Sequence, residues 1–200
     1  IMYNNSIKVF EDEILSQPDS IKSTVKFIRE NFNPNFEKNK ILNNNAYFVG
    51  SGDSLIACFG LLEIIESEFK NIKFITPLEL LLEKFSKNDT FIFISFSGEN
   101  KQLVQIANKV LCKSNISISI TFNSRNTLSK VCKYNIKIPI KSNRKTPHAV
   151  DYINTMIAVA ILVEKLKLKE YEDINSLHNN IQKQLDTSRE DCLKYKYYKS

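Results

Sequence analysis

The chain has 200 residues, of which 42% are apolar and 25% are charged, and its formal net charge is +6. These values are typical of one globular domain with a full core, with room for helical extensions. No apolar run approaches the roughly 20 residues that span a bilayer and no signal peptide opens the chain, so the cytoplasm is the expected compartment. The positive charge suits an anionic ligand, without choosing between a sugar phosphate, a nucleic acid and no specific ligand.

The four cysteines are scattered along the chain, with no C-x-x-C pair and no histidine cluster near them: Cys58, Cys112, Cys132 and Cys192. This spacing predicts neither a zinc site nor a disulfide framework. Cys58 has apolar neighbours on both sides, which predicts a buried and unreactive thiol.

The first 45 residues predict a helical N-terminal extension. Apolar residues recur at helical spacing from Ile7 to Phe32, and Pro18 interrupts the pattern. Because proline ends or restarts a helix, we expect two helices here, with Asp19 and Ser20 as caps of the second. Asparagine-rich turns follow at residues 33–35 and 43–45.

Strands and helices alternate from Ala46 onward. The predicted strands are Ala46–Val49, Ile72–Ile75, Phe91–Ile94, Ile116–Phe122 and Tyr134–Ile138. The predicted helices are one that carries Leu55, Phe59, Leu62 and Ile65, then Leu78–Phe85 (capped by Thr76 with Pro77 at its first position), Glu99–Lys113, Leu128–Val131, Ala149–Leu166 and Ile174–Leu185. This alternation indicates an α/β fold with a parallel sheet and helices on both faces. Because Ile and Ser alternate in the fourth strand, we expect that strand nearer the sheet edge. The predicted division is an N-terminal helical extension (1–45), an α/β core (46–166) and a C-terminal helical tail (167–200).

Glycine and serine cluster directly after the first and third predicted strands. Gly50-Ser51-Gly52 follows one, and Ser95-Phe96-Ser97-Gly98 follows the other and opens a helix. Backbone N–H groups, the positive end of a helix and hydroxyl groups together form a seat for an anion such as a phosphate monoester. Ligands of such sheets lie beyond the carboxyl ends of the strands, so we expect one shared site. The alternative is that these serines only stabilise their own turns, as serine commonly does.

These segments resemble a known family. Phe48 to Ser54 and Ile94 to Asn100 are similar to the two phosphate-loop motifs of the sugar isomerase (SIS) domain. Glu11 to Pro18, followed by Ile21 and Thr24, resembles the "E-I-x-E-Q-P" opening of the isomerase part of glucosamine-6-phosphate synthase and its relatives. The helix opened by Thr146-Pro147-His148 falls where that fold places its third ligand-contacting segment. The resemblance covers about residues 11 to 166.

The resemblance implies a flavodoxin-like three-layer αβα sandwich with a five-stranded parallel sheet that binds a phosphorylated sugar. The implied phosphosugar-binding residues are Gly50, Ser51, Gly52, Ser95, Ser97, Gly98, Asn100 and Thr146. Asn100 stands where the family usually has threonine. The glutaminase domain of the synthase has no counterpart here, and its second SIS domain, which carries the general-base glutamate, is missing. Since relatives pair two SIS units about a pseudo-twofold axis, a lone unit is expected to form a homodimer.

Aldose–ketose isomerisation needs a base beside the substrate carbonyl and an acid that opens the ring. His148 is the candidate acid or ring opener, and its structural alternative is a residue that only starts its helix. Glu79 is the candidate base, and its alternative is stabilisation of a helix N-terminus. Glu99 is expected to stabilise the start of its own helix. Asp151, three residues past His148, either orients that imidazole or only satisfies the first turn of its helix. No metal or cofactor is expected, because the substrate carbonyl is itself the electron sink.

Two hypotheses about function follow, and a basic, aromatic tail adds a minor third. The first is an isomerase or related enzyme acting on a hexose or amino-hexose 6-phosphate. The second is a non-catalytic module that binds and senses a sugar phosphate. The run from Lys194 to Lys199 interleaves bases with tyrosines, as nucleic-acid binders can, but a frayed terminus explains it more simply. We therefore expect neither a nucleic acid nor a membrane as a partner.

Overall fold

The computed structural model describes residues 2–111, 116–123, 125–140, 149–167 and 170–197, with side chains from Lys8 to Asp191 except Lys38. The strands are β1 (Asn45–Val49), β2 (Asn71–Ile75), β3 (Thr90–Ile94), β4 (Ile116–Thr121) and β5 (Tyr134–Lys137). The helices of the described residues are α1 (Met2–Leu15), α2 (Gln17–Asn31), α3 (Lys38–Asn43), α4 (Asp53–Phe59), α5 (Leu62–Glu68), α6 (Pro77–Leu80), α7 (Lys101–Leu111), α8 (Thr127–Val131), α9 (Ala149–Lys167) and α10 (Glu172–Tyr197). None of these helices combines the length and apolar character that a bilayer crossing requires.

The five strands form one parallel sheet in the order β2-β1-β3-β4-β5. The chain leaves β1 toward β2 on one side, and from β2 it crosses to β3 on the other side. The strand order therefore reverses between β1 and β3, which is the switch point of a flavodoxin-like sheet. The predicted α/β fold with a five-stranded parallel sheet is confirmed.

Each face of the sheet has its own apolar core, because alternate residues of a strand point to opposite faces. On one face, Phe48 and Ile92 of the sheet pack with α2, α5 and α9. On the other face, Tyr47 and Phe91 stack with their ring centroids 5.1 Å apart and pack beneath α6, α7 and α8. The molecule thus has the three layers expected of an αβα sandwich.

A buried ion pair joins the helices of the first face. Arg29 of α2 donates to Glu164 of α9 through Nε (3.1 Å to Oε2) and Nη2 (2.6 Å to Oε1). The same carboxylate accepts the backbone N–H of Tyr171 at 2.8 Å, just before α10. The Glu164 side chain is only 3% exposed. These three bonds compensate the removal of its charge from water and tie α2, α9 and the start of α10 together.

Several element bounds differ from the prediction. The helix after Ser54 divides at Gly60, where an added Cβ would lie 2.5 Å from the Met156 side chain of α9. The predicted helix from Leu78 to Phe85 is shortened to the single turn of α6. A second helix does form at Pro18, as predicted. Because α2 starts at Gln17, however, Asp19 and Ser20 lie inside its first turn and do not cap it. Two helical segments are longer than predicted or new: α10 reaches Tyr197, and α3 precedes β1.

The fourth strand is an interior strand, and the prediction that placed it nearer the edge is wrong. All six residues of β4 are buried between β3 and β5. Its serines are accommodated by hydrogen bonds to the β5 segment: Ser117 Oγ accepts the N–H of Lys133 at 2.9 Å, and Ser119 donates to the side-chain oxygen of Asn135. The edges are β2 and β5, which carry the exposed lysines Lys73 and Lys137.

Candidate functional site

The two glycine–serine turns begin side by side at the switch point. β1 and β3 are direct neighbours with Val49 opposite Phe93, so Gly50 and Ile94 are the next residues of the two strands. Strand ends at a switch point leave a crevice, because the helices that follow them pass to opposite faces of the sheet. The strand order therefore brings the two turns together at one edge of the sheet, as expected.

The first turn depends on close backbone packing at Gly50. A Cβ on this residue would lie 3.2 Å from the backbone nitrogen of Leu55 in α4 and 3.3 Å from the carbonyl oxygen of Ile94 in β3. Any larger residue would therefore press on both the helix and the neighbouring strand. Ser51 and Gly52 follow it and are exposed, and Gly52 precedes α4 without a side-chain cap.

The second turn is held by its own polar side chains. Ser95 Oγ accepts the N–H of Gly98 at 3.1 Å, and Ser97 Oγ accepts the N–H of Glu99 at 3.1 Å. Asn100 caps α7, since its Oδ1 accepts the N–H of Leu103 at 3.0 Å. These serines therefore do stabilise their own turn, which is the alternative named above. Their hydroxyl groups can still bind a ligand, because a hydroxyl that accepts one hydrogen bond still has a proton to donate. The Nδ2 amide of Asn100 and the first-turn N–H groups of α7 are further donors.

The buried side chain of Asn126, which the sequence did not mark as a site residue, packs against this turn. Asn126 is 1% exposed and donates to Thr121 Oγ1 at 2.9 Å, while its Oδ1 accepts the N–H of Ser129 at 2.7 Å. Gly98 has a φ of +68°, and a Cβ there would lie 2.2 Å from the Asn126 side chain. The turn thus rests against the cap of α8. The signal available in the sequence was the Asn-x-x-Ser spacing of that cap.

Glu99 also binds the start of α8, and not its own helix as expected. Its carboxylate accepts the hydroxyl of Thr127 at 2.6 Å and the backbone N–H of the same residue at 3.0 Å. These two hydrogen bonds, the side-chain bond first, lower the pKa of Glu99 below its ordinary value of 4.5. The second turn is therefore joined to α8 at both Gly98 and Glu99.

This hydrogen-bonding predicts a pH-dependent contribution to stability. Because the pKa of Glu99 is lower in the folded chain, its contribution is present above the ordinary carboxyl pKa and is lost as the pH falls through the lowered value. We expect Glu99→Gln to reduce the free energy of unfolding in urea at pH 7. The difference from the wild type should shrink progressively below about pH 4.5. Glu190→Gln, at an exposed position of α10, is the matched control, and identical pH profiles for the two variants would contradict this role of Glu99.

The predicted base, Glu79, lies at the start of α6 beyond the end of β2. It forms a capping box: its carboxylate accepts the N–H of Thr76 at 2.6 Å, and its own N–H donates to Thr76 Oγ1 at 3.3 Å. The bond from the Thr76 backbone, followed by that to its side chain, lowers the pKa of Glu79. Glu79 thus stabilises a helix N-terminus, which is its structural alternative. Thr76 is the cap and Pro77 is the first helical residue, as predicted. Catalysis by Glu79 stays a prediction.

The third predicted segment lies outside the described residues. It contains Thr146 and His148, so both stay predictions. Asp151, the next carboxylate along the chain, is 3% exposed in the first turn of α9. Among the residues that the structure describes, no three His, Cys, Asp or Glu side chains are grouped as metal ligands. Cys58 and Cys132 are buried free thiols, and burial raises the pKa of each to about 12.

Comparison with known families assigns this architecture. The sequence model of the SIS domain matches residues 43–165, which contain the whole sheet and both turns. The chain belongs to the SIS domain family. No curated protein sequence matches the chain.

Solved structures share the SIS fold at low sequence identity. The C-terminal domain of glucosamine-fructose-6-phosphate aminotransferase from Francisella tularensis is 17% identical with a TM-score of 0.63, over 86% of this chain and 52% of that one. An Escherichia coli CFT073 protein in complex with a phosphosugar is 19% identical (TM-score 0.57), over 88% and 98% of the two chains. The Vibrio vulnificus NanR protein complexed with ManNAc-6P is 13% identical (TM-score 0.59), over 91% and 67%. The present chain therefore spans about half of the aminotransferase domain and nearly all of the Escherichia coli protein.

Proposed function

We propose that this SIS domain binds a phosphorylated sugar at the carboxyl ends of β1 and β3. The single observation that supports this most is the pair of glycine–serine turns, which begin on neighbouring strands at the switch point. Ser51, Ser95 and Ser97 supply hydroxyls, the glycines at positions 50, 52 and 98 let the backbone approach the ligand, and Asn100 adds an amide. Thr146 contributes a backbone contact from the third segment. The Escherichia coli and Vibrio vulnificus relatives were each solved with a bound phosphosugar, which supports the same ligand class.

Substitution of Ser97 tests the proposed phosphate contact through the affinity for a phosphosugar. A hydrogen bond to a charged group contributes about 1.5–3 kcal/mol, so Ser97→Ala should weaken phosphosugar binding about 10- to 100-fold. Isothermal titration calorimetry with glucosamine 6-phosphate and fructose 6-phosphate measures this loss. The matched control is Ser67→Ala, at a serine of α5 whose hydroxyl donates to a helical carbonyl far from the turns. Equal affinities of the Ser97→Ala and Ser67→Ala variants would contradict the proposed phosphate seat.

The preferred activity is aldose–ketose isomerisation of a hexose or amino-hexose 6-phosphate. In this proposal the phosphate anchors the substrate in the two turns, and His148 opens the ring or donates to a sugar oxygen. Glu79, or a carboxylate from a second subunit, removes the proton from C2, and the substrate carbonyl accepts the electron pair. No metal or cofactor takes part in these steps.

A non-catalytic sensor is the second candidate, and one observation favours it. The carboxylates of Glu79 and Glu99 are both engaged in structural hydrogen bonds that lower their pKa. A general base works best with a pKa near the working pH, and a lowered carboxyl pKa is therefore unsuited to removing a carbon-bound proton. If neither His148 nor a partner subunit supplies the base, the same seat binds without turnover.

Proton exchange at C2 separates the two candidates. The protein is incubated in D2O with fructose 6-phosphate or glucosamine 6-phosphate, and deuterium at C2 is followed by NMR. Exchange that His148→Ala or Glu79→Gln abolishes, with binding retained, supports the isomerase. Tight binding without exchange supports the sensor. Absence of binding to either sugar phosphate contradicts the proposed function as a whole.

The proposed assembly is a homodimer. The chain spans only 52% of the aminotransferase domain that it resembles, so a second copy would supply an equivalent second unit. Such a partner could also bring a catalytic base to the site.

A further inference from the structure

A groove runs between α2 and α10, on the face of the sheet that α9 covers. Its volume is about 320 Å³, which is in the range of small-molecule sites. We refer to it as the α2–α10 groove. It is lined by eight residues, of which the first five belong to α2 and the last three to α10: Lys22, Val25, Lys26, Arg29, Glu30, Ile174, Asn175 and His178. None of them belongs to the two glycine–serine turns, so the groove is separate from the proposed phosphosugar site.

The floor of the α2–α10 groove is apolar and its α2 wall is cationic. Val25 and Ile174 are each 9% exposed and form the floor. Lys22 and Lys26 are exposed and stand one turn apart on the same side of α2, so their ammonium groups can reach one ligand. Neither lysine has an ion-pair or hydrogen-bond partner among the described residues. The α2 wall therefore carries two positive charges that the chain itself does not neutralise.

The α10 wall adds two hydrogen-bond donors. Arg29, whose own charge is offset by buried Glu164, donates to Asn175 Oδ1. This bond orients the Asn175 amide and leaves its Nδ2 protons for a ligand. The imidazole of His178 is half-buried in the same wall and carries at least one N–H. It too has no hydrogen-bond partner within the part of the chain that the structure describes.

Glu30 limits what kind of anion the groove can hold. It is the only carboxylate that lines the groove, and it follows Lys22 by about two helical turns, or about 12 Å along α2. An acidic peptide or a nucleic acid that extended along α2 would bring its charges against Glu30. A small anion can lie entirely on the side of the two lysines. Charge complementarity therefore favours a small molecule over a macromolecular partner.

We propose that the α2–α10 groove binds a small metabolite that carries two or more negative charges on a short carbon body. Lys22 and Lys26 neutralise its anionic groups, and the two α10 donors bind its oxygens. Its carbon body covers the apolar floor. Because the ligand contacts both helices, it holds α10 against α2 and stabilises the folded chain by mass action. The inference goes beyond the proposed function and does not depend on it.

Isothermal titration calorimetry of the intact chain tests the groove with citrate and, separately, with 3-phosphoglycerate. The two probes distinguish a polycarboxylate from a phosphate ester. The wild type should bind at least one of them. The double variant Lys22→Ala with Lys26→Ala should bind it at least about tenfold more weakly, because two charge-assisted contacts are lost. Alanine suits both positions, which are exposed in a helix. The matched control, Lys109→Ala with Lys183→Ala, removes the same charge from exposed positions of α7 and α10 outside the groove.

Hydrogen exchange locates the bound probe. Slower exchange of the α2 and α10 amides in the wild type, but not in the groove variant, supports the proposal. Slower exchange confined to the turns after β1 and β3 overturns it. It is also overturned if neither probe binds, if the groove variant binds as tightly as the wild type, or if the control variant loses as much affinity.

The phosphosugar site is tested separately on the same samples. Ser97→Ala should leave the lysine-dependent affinity for the probe unchanged, and an equal loss in Ser97→Ala would overturn the groove as a second site. The groove variant should bind glucosamine 6-phosphate as the wild type does. Failure of the wild type to bind a sugar phosphate, with probe binding in the groove retained, would overturn the proposed function alone.

Discussion

Gly98→Ala is expected to destabilise the domain and to remove most of its affinity for a phosphorylated sugar. The residue has a φ of +68°, where an L-amino acid costs about 1–2 kcal/mol more than glycine. An added Cβ would also lie 2.2 Å from the buried Asn126 side chain, which is fixed by its own hydrogen bonds. Overpacking of this kind costs about 1–3 kcal/mol more. Relief of the clash must move either the turn or the cap of α8.

Gly52→Ala is a control for the steric part of the stability prediction. Its φ of +54° also disfavours a side chain, but an added Cβ would meet no atom within 4 Å. With a ψ of −134° the residue has a backbone conformation that essentially only glycine adopts, so we expect a conformational cost of about 1–3 kcal/mol there without a clash. Urea unfolding measures the stability of both variants, and calorimetric titration with glucosamine 6-phosphate measures affinity. At Gly98 the loss of affinity should be at least about tenfold, the equivalent of about 1.4 kcal/mol. A Gly98→Ala variant that loses no more than about 2 kcal/mol, which is the conformational cost alone, would show that Asn126 does not brace the turn.

Arg29→Ala is expected to cost about 3–5 kcal/mol of stability, because it leaves a buried carboxylate without its cation. Glu164 is 3% exposed and would keep only the N–H of Tyr171 among the bonds that now compensate its charge. Three segments meet at this carboxylate, so we expect α10 to detach from α2 before the sheet unfolds. Urea unfolding gives the free energy, and hydrogen exchange of the α10 amides reports the detachment.

Two further variants separate the ion pair from simple loss of side-chain volume. The double variant Arg29→Met with Glu164→Leu removes both charges and keeps apolar volume, so it should be more stable than Arg29→Ala. Glu170→Ala removes a partner that lies 3.8 Å from Arg29 but is 72% exposed, and should change stability little. If the double variant were the least stable of the three, the buried charge would not be the cause of the loss.

The turns that form the candidate site could be predicted because their signals are local. Four apolar residues before Ser95 identify a buried strand, and the Ser-x-Ser-Gly sequence marks the turn whatever surrounds it. Thr76 and Pro77 are equally local, since a cap and a first-turn proline depend only on their own helix. Their shared location followed from the rule for parallel sheets, and the strand order of the structure agrees with it.

The remaining features depend on contacts between distant segments, which a single sequence does not display. The serines of β4 resembled those of an edge strand, but Ser117 and Ser119 are satisfied by groups of β5. Gly60, where α4 and α5 divide, lies against the side chain of Met156, which comes almost a hundred residues later. Asn126 is a polar residue whose burial arises only when β4, α8 and the second turn pack together. In the same way, the carboxylate of Glu99 has its partner 28 residues along the chain.

The two outer strands of the sheet limit how these molecules can associate. Within the described part of the chain, β2 and β5 each pair with a neighbouring strand on one side only. They are only 5 and 4 residues long, and each exposes a lysine, Lys73 or Lys137. A strand from another molecule that added to either side would pair over a very short ladder and beside a charged side chain, which at Lys73 is ion-paired with Glu83. Growth of the sheet into fibrils is therefore disfavoured at both ends. Self-association is left to helical surfaces, where contacts can close on themselves and stop at a defined number of copies.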